Sequence, residues 1–454
     1  MPLDLADVAR RAAEFGGDEA VASVTLRREL VAECGPDGTL QPPRRTDELS
    51  VRLLVRDAGG RFGLARSTGP VDDAGLAVLA ERARAQAAGG TLDLAPLPDP
   101  TVGPVHEGLG DPAAALDPVQ GAAAARAAAA SIEFALGRGR AATYRGEEVR
   151  FAVARSDAGL TEDHRTAAQL VARATDEDGM LAGYAEAAGP DTGLLDARAL
   201  GAAASPPLAP AGRPHTPIVL RGTHHAVLLE PAALAPLLEA FARVTSTGHA
   251  HLTGTSPYTG RLGTLAASEL LTLVDSPRYL HTLGRAIDVE GTPAQVVPLF
   301  DEGVATGLIH DSTGASMGAA STGHAAELGG SPRGAVARNL VLLPAELPAR
   351  SLELAAAADV PVVRIAVLDE VRTAGPVSTR FRALGRAASL IDGGATVALL
   401  GDIVITGDLA DLAGNLAALG SDATLVARLR HRPERTTATW CPPALVHGPD
   451  VTVA

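Results

Sequence analysis

The 454-residue sequence contains no lysine; all 39 of its basic side chains are arginine. That absence excludes Schiff-base chemistry, pyridoxal-phosphate attachment and a P-loop lysine. Arginine cannot replace lysine as a general base at neutral pH. Cysteine is nearly as scarce. Cys34 and Cys441 are the only two, too few for a disulfide framework or a four-cysteine zinc site. No run approaches the roughly 20 consecutive apolar residues of a membrane-crossing helix. The first ten positions carry acidic and basic residues where a signal peptide would place an apolar core. The expectation is a cytoplasmic protein with no membrane partner. Positive charge is also outweighed, 39 basic against 53 acidic residues for a net −14. A protein that neutralises phosphates shows the opposite balance, so no nucleic-acid partner is expected.

What is present is the composition of a folded, well-packed chain, 46% hydrophobic and 20% charged. Its length allows two or more domains. Residues 5–15 read as an amphipathic helix, and 21–28, 50–57 and 61–66 as strands, with a turn at Gly59 and Gly60. Asp72 and Asp73 cap a helix to about residue 87. Residues 91–112, rich in proline, glycine and aspartate, read as a loop, and 118–136 as an alanine-rich helix. Strand-like segments follow at 149–155 and 167–175. The proline-rich string at 206–217 is the expected linker between an N-terminal domain, 1–205, and a C-terminal domain, 218–454. Beyond it come a strand at 218–221, a helix at 231–246, β-branched runs at 269–275, 296–300, 338–343, 361–368 and 397–406, and a last helix at 408–419. The expected fold class is α+β, with an N-terminal α/β domain and a C-terminal domain built on a large, mostly antiparallel sheet.

In the second half the order of short motifs resembles a known family. Residues 216–241 are similar to the strand-then-helix opening of the TldD/PmbA C-terminal domain. Residues 263–277 are similar to its "G…S..LTL.D.P" stretch, and 288–293 to its "DDEG" turn, with Val289 in place of the middle acid. The segments at 303–304, 321–324 and 339–342 continue in the family's order. Residues 405–409 resemble its "I.GNL", with Asp408 where asparagine is usual, and 443–448 its closing strand in the PmbA branch. Residues 51–63 and the helix after Asp72 are similar to the family's N-terminal half.

In the TldD branch the first C-terminal-domain helix carries HExxxH, two zinc-binding imidazoles on one face and a glutamate that activates water. The corresponding positions here are Glu230, Pro231 and Ala235, and no histidine lies between His225 and His249. Proline is tolerated at a first helical position, so the helix is expected to survive without the metal site. Cys441 occupies a C-terminal position comparable to a further family ligand, but its context resembles the PmbA closing strand and reads as structural.

Other residues carry weaker signals. His106, Glu107 and Asp111 form a degenerate HExxxD within a loop. His224 and His225 are adjacent on a strand and point to opposite faces. His249 and His251 would share a face on a strand; with a carboxylate they offer a relocated metal site. Asp288, Glu290 and Gly291 either shape a peptide channel or partner contact, or accept backbone hydrogen bonds in a tight turn. Thr322 and His324 are further possible channel or partner contacts. Arg52 and Arg56 read as a solvated strand face.

The resemblance implies a non-catalytic TldE/PmbA-like subunit that binds no cofactor itself. It would pair with an HExxxH-bearing TldD-like subunit carrying zinc, and the two would cleave unfolded peptides or leader peptides of ribosomally made natural products. The alternatives are a peptidase active alone through a relocated metal site, and a homodimeric peptide-binding module.

Overall fold

The computed structural model describes residues 3–69, 71–90, 97–134, 139–207, 219–329, 334–348, 351–352, 360–430 and 432–453. The first half runs α1 (Leu5–Gly16), β1 (Ala20–Cys34), β2 (Arg44–Arg56), β3 (Phe62–Thr68), α2 (Asp73–Gly89), α3 (Pro112–Ala115), α4 (Pro118–Ala130), β4 (Gly139–Arg155), β5 (Leu160–Thr175), β6 (Leu181–Gly189) and α5 (Ala197–Ala203). Aspartates start its helices. Asp4, Asp72 and Asp117 each accept an N–H from the first turn, satisfying donors that have no partner inside the helix.

The six strands form one sheet in the order β3-β2-β1-β4-β5-β6, antiparallel at every pairing. Alternation along β1 divides its side chains between two environments. Ala20, Ala22, Val24 and Leu26 pack with α1 and α2. Val21 packs with Leu54 and Val153 on Ala286, Ile287 and Leu328 from the second half. Both faces of the sheet centre are therefore covered. On the helix side the fit is close: a Cβ at Gly63 would sit 2.0 Å from the Ala83 carbonyl oxygen of α2.

The second half comprises β7 (Val219–Leu229), α6 (Pro231–Thr245), α7 (Gly248–Leu252), β8 (Leu273–Asp275), β9 (Val297–Asp301), β10 (Val304–Ala305), β11 (Asn339–Leu342), β12 (Val362–Thr373), β13 (Arg380–Asp392), β14 (Ala395–Asp408), α8 (Leu409–Gly414), β15 (Leu416–Leu419), β16 (Thr424–Arg428), β17 (Thr437–Cys441) and β18 (Ala444–Val453). A second sheet has the order β10-β9-β8-β11-β17-β16, and a third β14-β13-β12-β7-β18-β15. Among the described strands, only β11–β17 and β7–β12 pair in parallel. A further antiparallel pairing of β14 with β18 closes β7, β12, β13, β14 and β18 into a barrel, which leaves those five strands no open edge. Helix α6 packs within the core that joins these sheets, and 12 of its 15 residues are buried.

The α+β class is observed, with large antiparallel sheets. One local expectation changes. The helix expected over 408–419 stops at Gly414; Asn415 ends it and 416–419 pairs with β18 as a strand. Strand β13 occupies a stretch to which no element was assigned. The linker expected at 206–217 lies, from residue 208 onward, outside the described residues.

Candidate functional site

The strand-to-helix junction from β7 to α6 puts the three motif positions in different environments. Glu230 is the residue before the helix, extended (φ −65°, ψ 162°), and its side chain makes no capping bond. Its carboxylate instead accepts Arg364 Nε from β12 at 2.7 Å. Pro231 opens the helix, and its carbonyl accepts the Cys441 thiol at 3.6 Å. Ala235 is fully buried in the apolar core. An ion-paired carboxylate, a proline ring and a buried methyl group do not make a zinc site. Cys441 brings one sulfur to this junction, and burial pushes its thiol pKa up, away from the thiolate a metal needs. Among the described residues no group of three His, Cys, Asp or Glu side chains is placed to hold a metal ion.

The junction lies between two clefts. One, about 290 Å³, is lined by residues including Arg145, Arg173, Tyr184, Glu186, Ala232 and Arg428. The other, about 420 Å³, shares Tyr184, Glu186 and Ala232 and adds Glu230, Pro231 and Arg364. Strands β6 and β16, the last strands of their sheets, contribute to both walls. Glu186 is the chemically distinctive group. Burial pushes its carboxyl up to about 7, against the opposing pull of the Tyr184 hydroxyl donor, Arg428 and Arg173.

Asp288, Glu290, Gly291, Thr322 and His324 lie elsewhere, in a buried polar loop cluster. Asp288 Oδ1 accepts the backbone N–H groups of Glu290 and Thr292, at 2.9 and 3.0 Å, and its Oδ2 accepts that of Ala325 at 2.8 Å. Gly291 has φ +77° and faces Pro100 and Thr161, a conformation that favours glycine. Glu290 accepts the Ser312 backbone N–H at 3.0 Å and its hydroxyl. Burial, then the adjacent Asp288, push the Glu290 carboxyl well above its ordinary range. His324 is fully buried, its Nδ1 2.9 Å from the Thr322 hydroxyl and its Nε2 3.3 Å from Asp275. Burial pushes the imidazole pKa down. The same Nδ1 lies 2.9 Å from the Thr322 carbonyl oxygen. Burial opposes ionisation of Asp275, but His324, Arg285 and the Arg338 amide outweigh it and bring the carboxyl to about 2.

The remaining histidines have ordinary surroundings. His106 Nε2 donates to Asp163 at 2.8 Å while its Nδ1 accepts the Gly108 N–H at 2.9 Å. His225 is buried within β7. His249 and His251 fall on the short helix α7, where a two-residue spacing turns them to different sides; the shared strand face expected for them does not exist. Arg52 also departs from its reading. It is 7% exposed and paired with Glu434 from the second half, because its side of β2 faces protein instead of water. Sequence reading missed Glu186, Arg285 and Arg338; a lone charge within the small-residue strand β6 was the signal for the first, and the two arginines lie outside the strands.

Residues 222–453 match the PmbA/TldA metallopeptidase C-terminal domain. This chain belongs to the TldD/PmbA family. Solved structures agree on the fold. A Thermotoga maritima protein described as a proposed modulator of a DNA gyrase superposes with a TM-score of 0.77 at 19% identity, covering 98% of each chain. TldE from Thermococcus kodakarensis gives a TM-score of 0.75 at 17% identity, covering 98% of this chain and 99% of its own. A Bacteroides thetaiotaomicron protein, likewise described as a proposed modulator of DNA gyrase, gives 0.75 at 17%, covering 99% and 98%.

Proposed function

We propose that this chain is the non-catalytic, TldE-like subunit of a two-subunit TldD/PmbA-type zinc metallopeptidase, working in the cytoplasm. The observation that carries the reading is the family's motif helix with Glu230, Pro231 and Ala235 at its motif positions, the first tied to Arg364 and the last sealed in the core. The scaffold is kept and the ligand chemistry is absent. Zinc and the water-activating glutamate would come from an HExxxH-bearing TldD-like partner.

The contribution of this subunit is to complete the chamber and shape the substrate path. Its substrate class is unfolded peptide, including leader segments of ribosomally made products. The two clefts beside α6, walled by the terminal strands β6 and β16, would receive such a chain in extended form.

The test measures zinc content and peptide cleavage for this chain alone, for a TldD-like homologue alone, and for the mixture. Expected are no stoichiometric zinc and no cleavage from this chain alone, and a stable mixed complex holding zinc and cleaving unstructured peptide. One zinc per chain with cleavage by this protein alone would overturn the proposal.

A further inference from the structure

Away from the motif helix, a cavity of about 40 Å³ lies where the first sheet meets the second half of the chain. Thr25, Val149, Phe151, Asp163 and Arg165 line it from β1, β4 and β5. Arg285, Asp288, Arg338 and Glu434 line it from the other side. Arg285 and Arg338 are 2% and 6% exposed, and neither guanidinium is fully used. Arg285 donates through Nε to Asn339 at 3.0 Å and through Nη1 to the Gly323 carbonyl, leaving Nη2 without a partner. Arg338 donates through Nη1 to the Glu434 carbonyl at 3.0 Å, leaving Nε and Nη2 without partners. Three charged donors of buried arginines are thus unmet beside one small cavity, and each such group carries a desolvation penalty until it finds an acceptor.

The acceptors on the walls are mostly committed. Both Asp288 oxygens hold backbone amides, and both Asp163 oxygens are engaged by His106, the His164 amide and the Ala286 amide. Glu434 Oε2 and the Thr25 hydroxyl remain. Water filling the cavity would bring two hydrogens per molecule into a site already rich in donors. A species that only accepts answers the imbalance better. The space suffices, since one water-sized sphere takes roughly 10–15 Å³. Burial first, then Arg285 and Arg165, lower the Arg338 pKa to about 9, with Asp288 and Asp275 opposing them.

We infer that this cavity is a binding site for a small monovalent anion of halide size, held by Arg285 and Arg338 between the two halves of the chain. Bound there, the anion stabilises the contact between the halves, so folding stability rises with its concentration.

Two measurements on the full chain test this. Crystals soaked in bromide are expected to show an anomalous peak between Arg285 and Arg338. Thermal unfolding is followed with chloride against gluconate at equal ionic strength. The midpoint is expected to rise with chloride and stay level with gluconate, a far larger anion than a cavity of about 40 Å³ holds. In Arg338→Met the peak and the chloride response are lost. If that variant does not fold, Glu434→Gln decides: removing the nearby carboxylate is expected to lower the half-saturating chloride concentration by on the order of tenfold. An empty cavity in bromide together with equal midpoints in both salts, or an unchanged chloride response in Glu434→Gln, sinks the inference and assigns the cavity to water.

Discussion

Glu186 offers a sharp test of how the cleft beside α6 is built. Its carboxyl is raised from 4.5 to about 7, chiefly by burial. A group whose folded pKa lies above its unfolded value is protonated on folding throughout the interval. Its favourable contribution is complete below about 4.5 and disappears as pH rises through about 7. The full interval corresponds to about 3 kcal/mol, and the partial solvent contact of the side chain reduces that to about 2–3 kcal/mol. Glu186→Gln keeps the shape and an oxygen to accept the Tyr184 hydroxyl but cannot ionise. Wild type and variant should therefore be equally stable near pH 4.5. The variant should be about 2–3 kcal/mol more stable at pH 8.5, with the gap opening between those values. Urea unfolding of both proteins across that range measures it, read as a difference because a chain of this size need not unfold in two states. Equal stability at pH 8.5, or a gap that widens toward acid, would refute the assignment of burial as the dominant influence on this carboxyl.

Further expectations concern the buried polar loops and the close helix contacts. Asp275→Asn should cost about 3–5 kcal/mol in denaturant unfolding, since it removes one charge of a fully buried constellation. The same depressed carboxyl, at about 2, means that wild-type stability tied to it is complete above about 4 and fades as pH falls toward 2; acid titration of unfolding free energy should show this loss in wild type and not in the variant. Gly146→Ala would place a Cβ 1.8 Å from the Ala115 carbonyl oxygen, and a loss of about 1–3 kcal/mol is expected from the forced shift; an unchanged melting temperature would show that α3 yields freely. Arg364→Met should leave Glu230 without its partner and lower stability by about 1–2 kcal/mol at neutral pH, while zinc content stays unaltered.

Much of the architecture was legible because local rules and burial agree. The Asp72 cap and the Pro231 helix start are visible in the residues themselves and in the structure alike. Strand β13 was not legible: Arg380 and Arg382 alternate with buried Phe381 and Ala383 only briefly, and Gly385 and Ala387 lower strand propensity. Its place is fixed by pairing to β12 and β14 on both sides. The helix over 408–419 was overextended because alanine and leucine are strong helix formers; pairing with β18 decided the matter. For the site, the motif positions could be found by order along the chain, whereas Glu186, Arg285 and Arg338 could not. Each is made special by what a distant segment places opposite it. Arg52 shows the same lesson, since alternation reveals that a strand has two faces without telling whether water or protein covers the second.

The doubly covered first sheet has a consequence for synthesis. Its strands are all made by Gly189, and α1 and α2 are available at once to cover one face. The other face, with Val21, Leu54 and Val153, waits for Ala286, Ile287 and Leu328. At the usual pace of about 5–20 residues per second, the nascent chain displays that apolar surface for on the order of five to thirty seconds. During that interval the growing polypeptide is a natural client for a ribosome-associated chaperone.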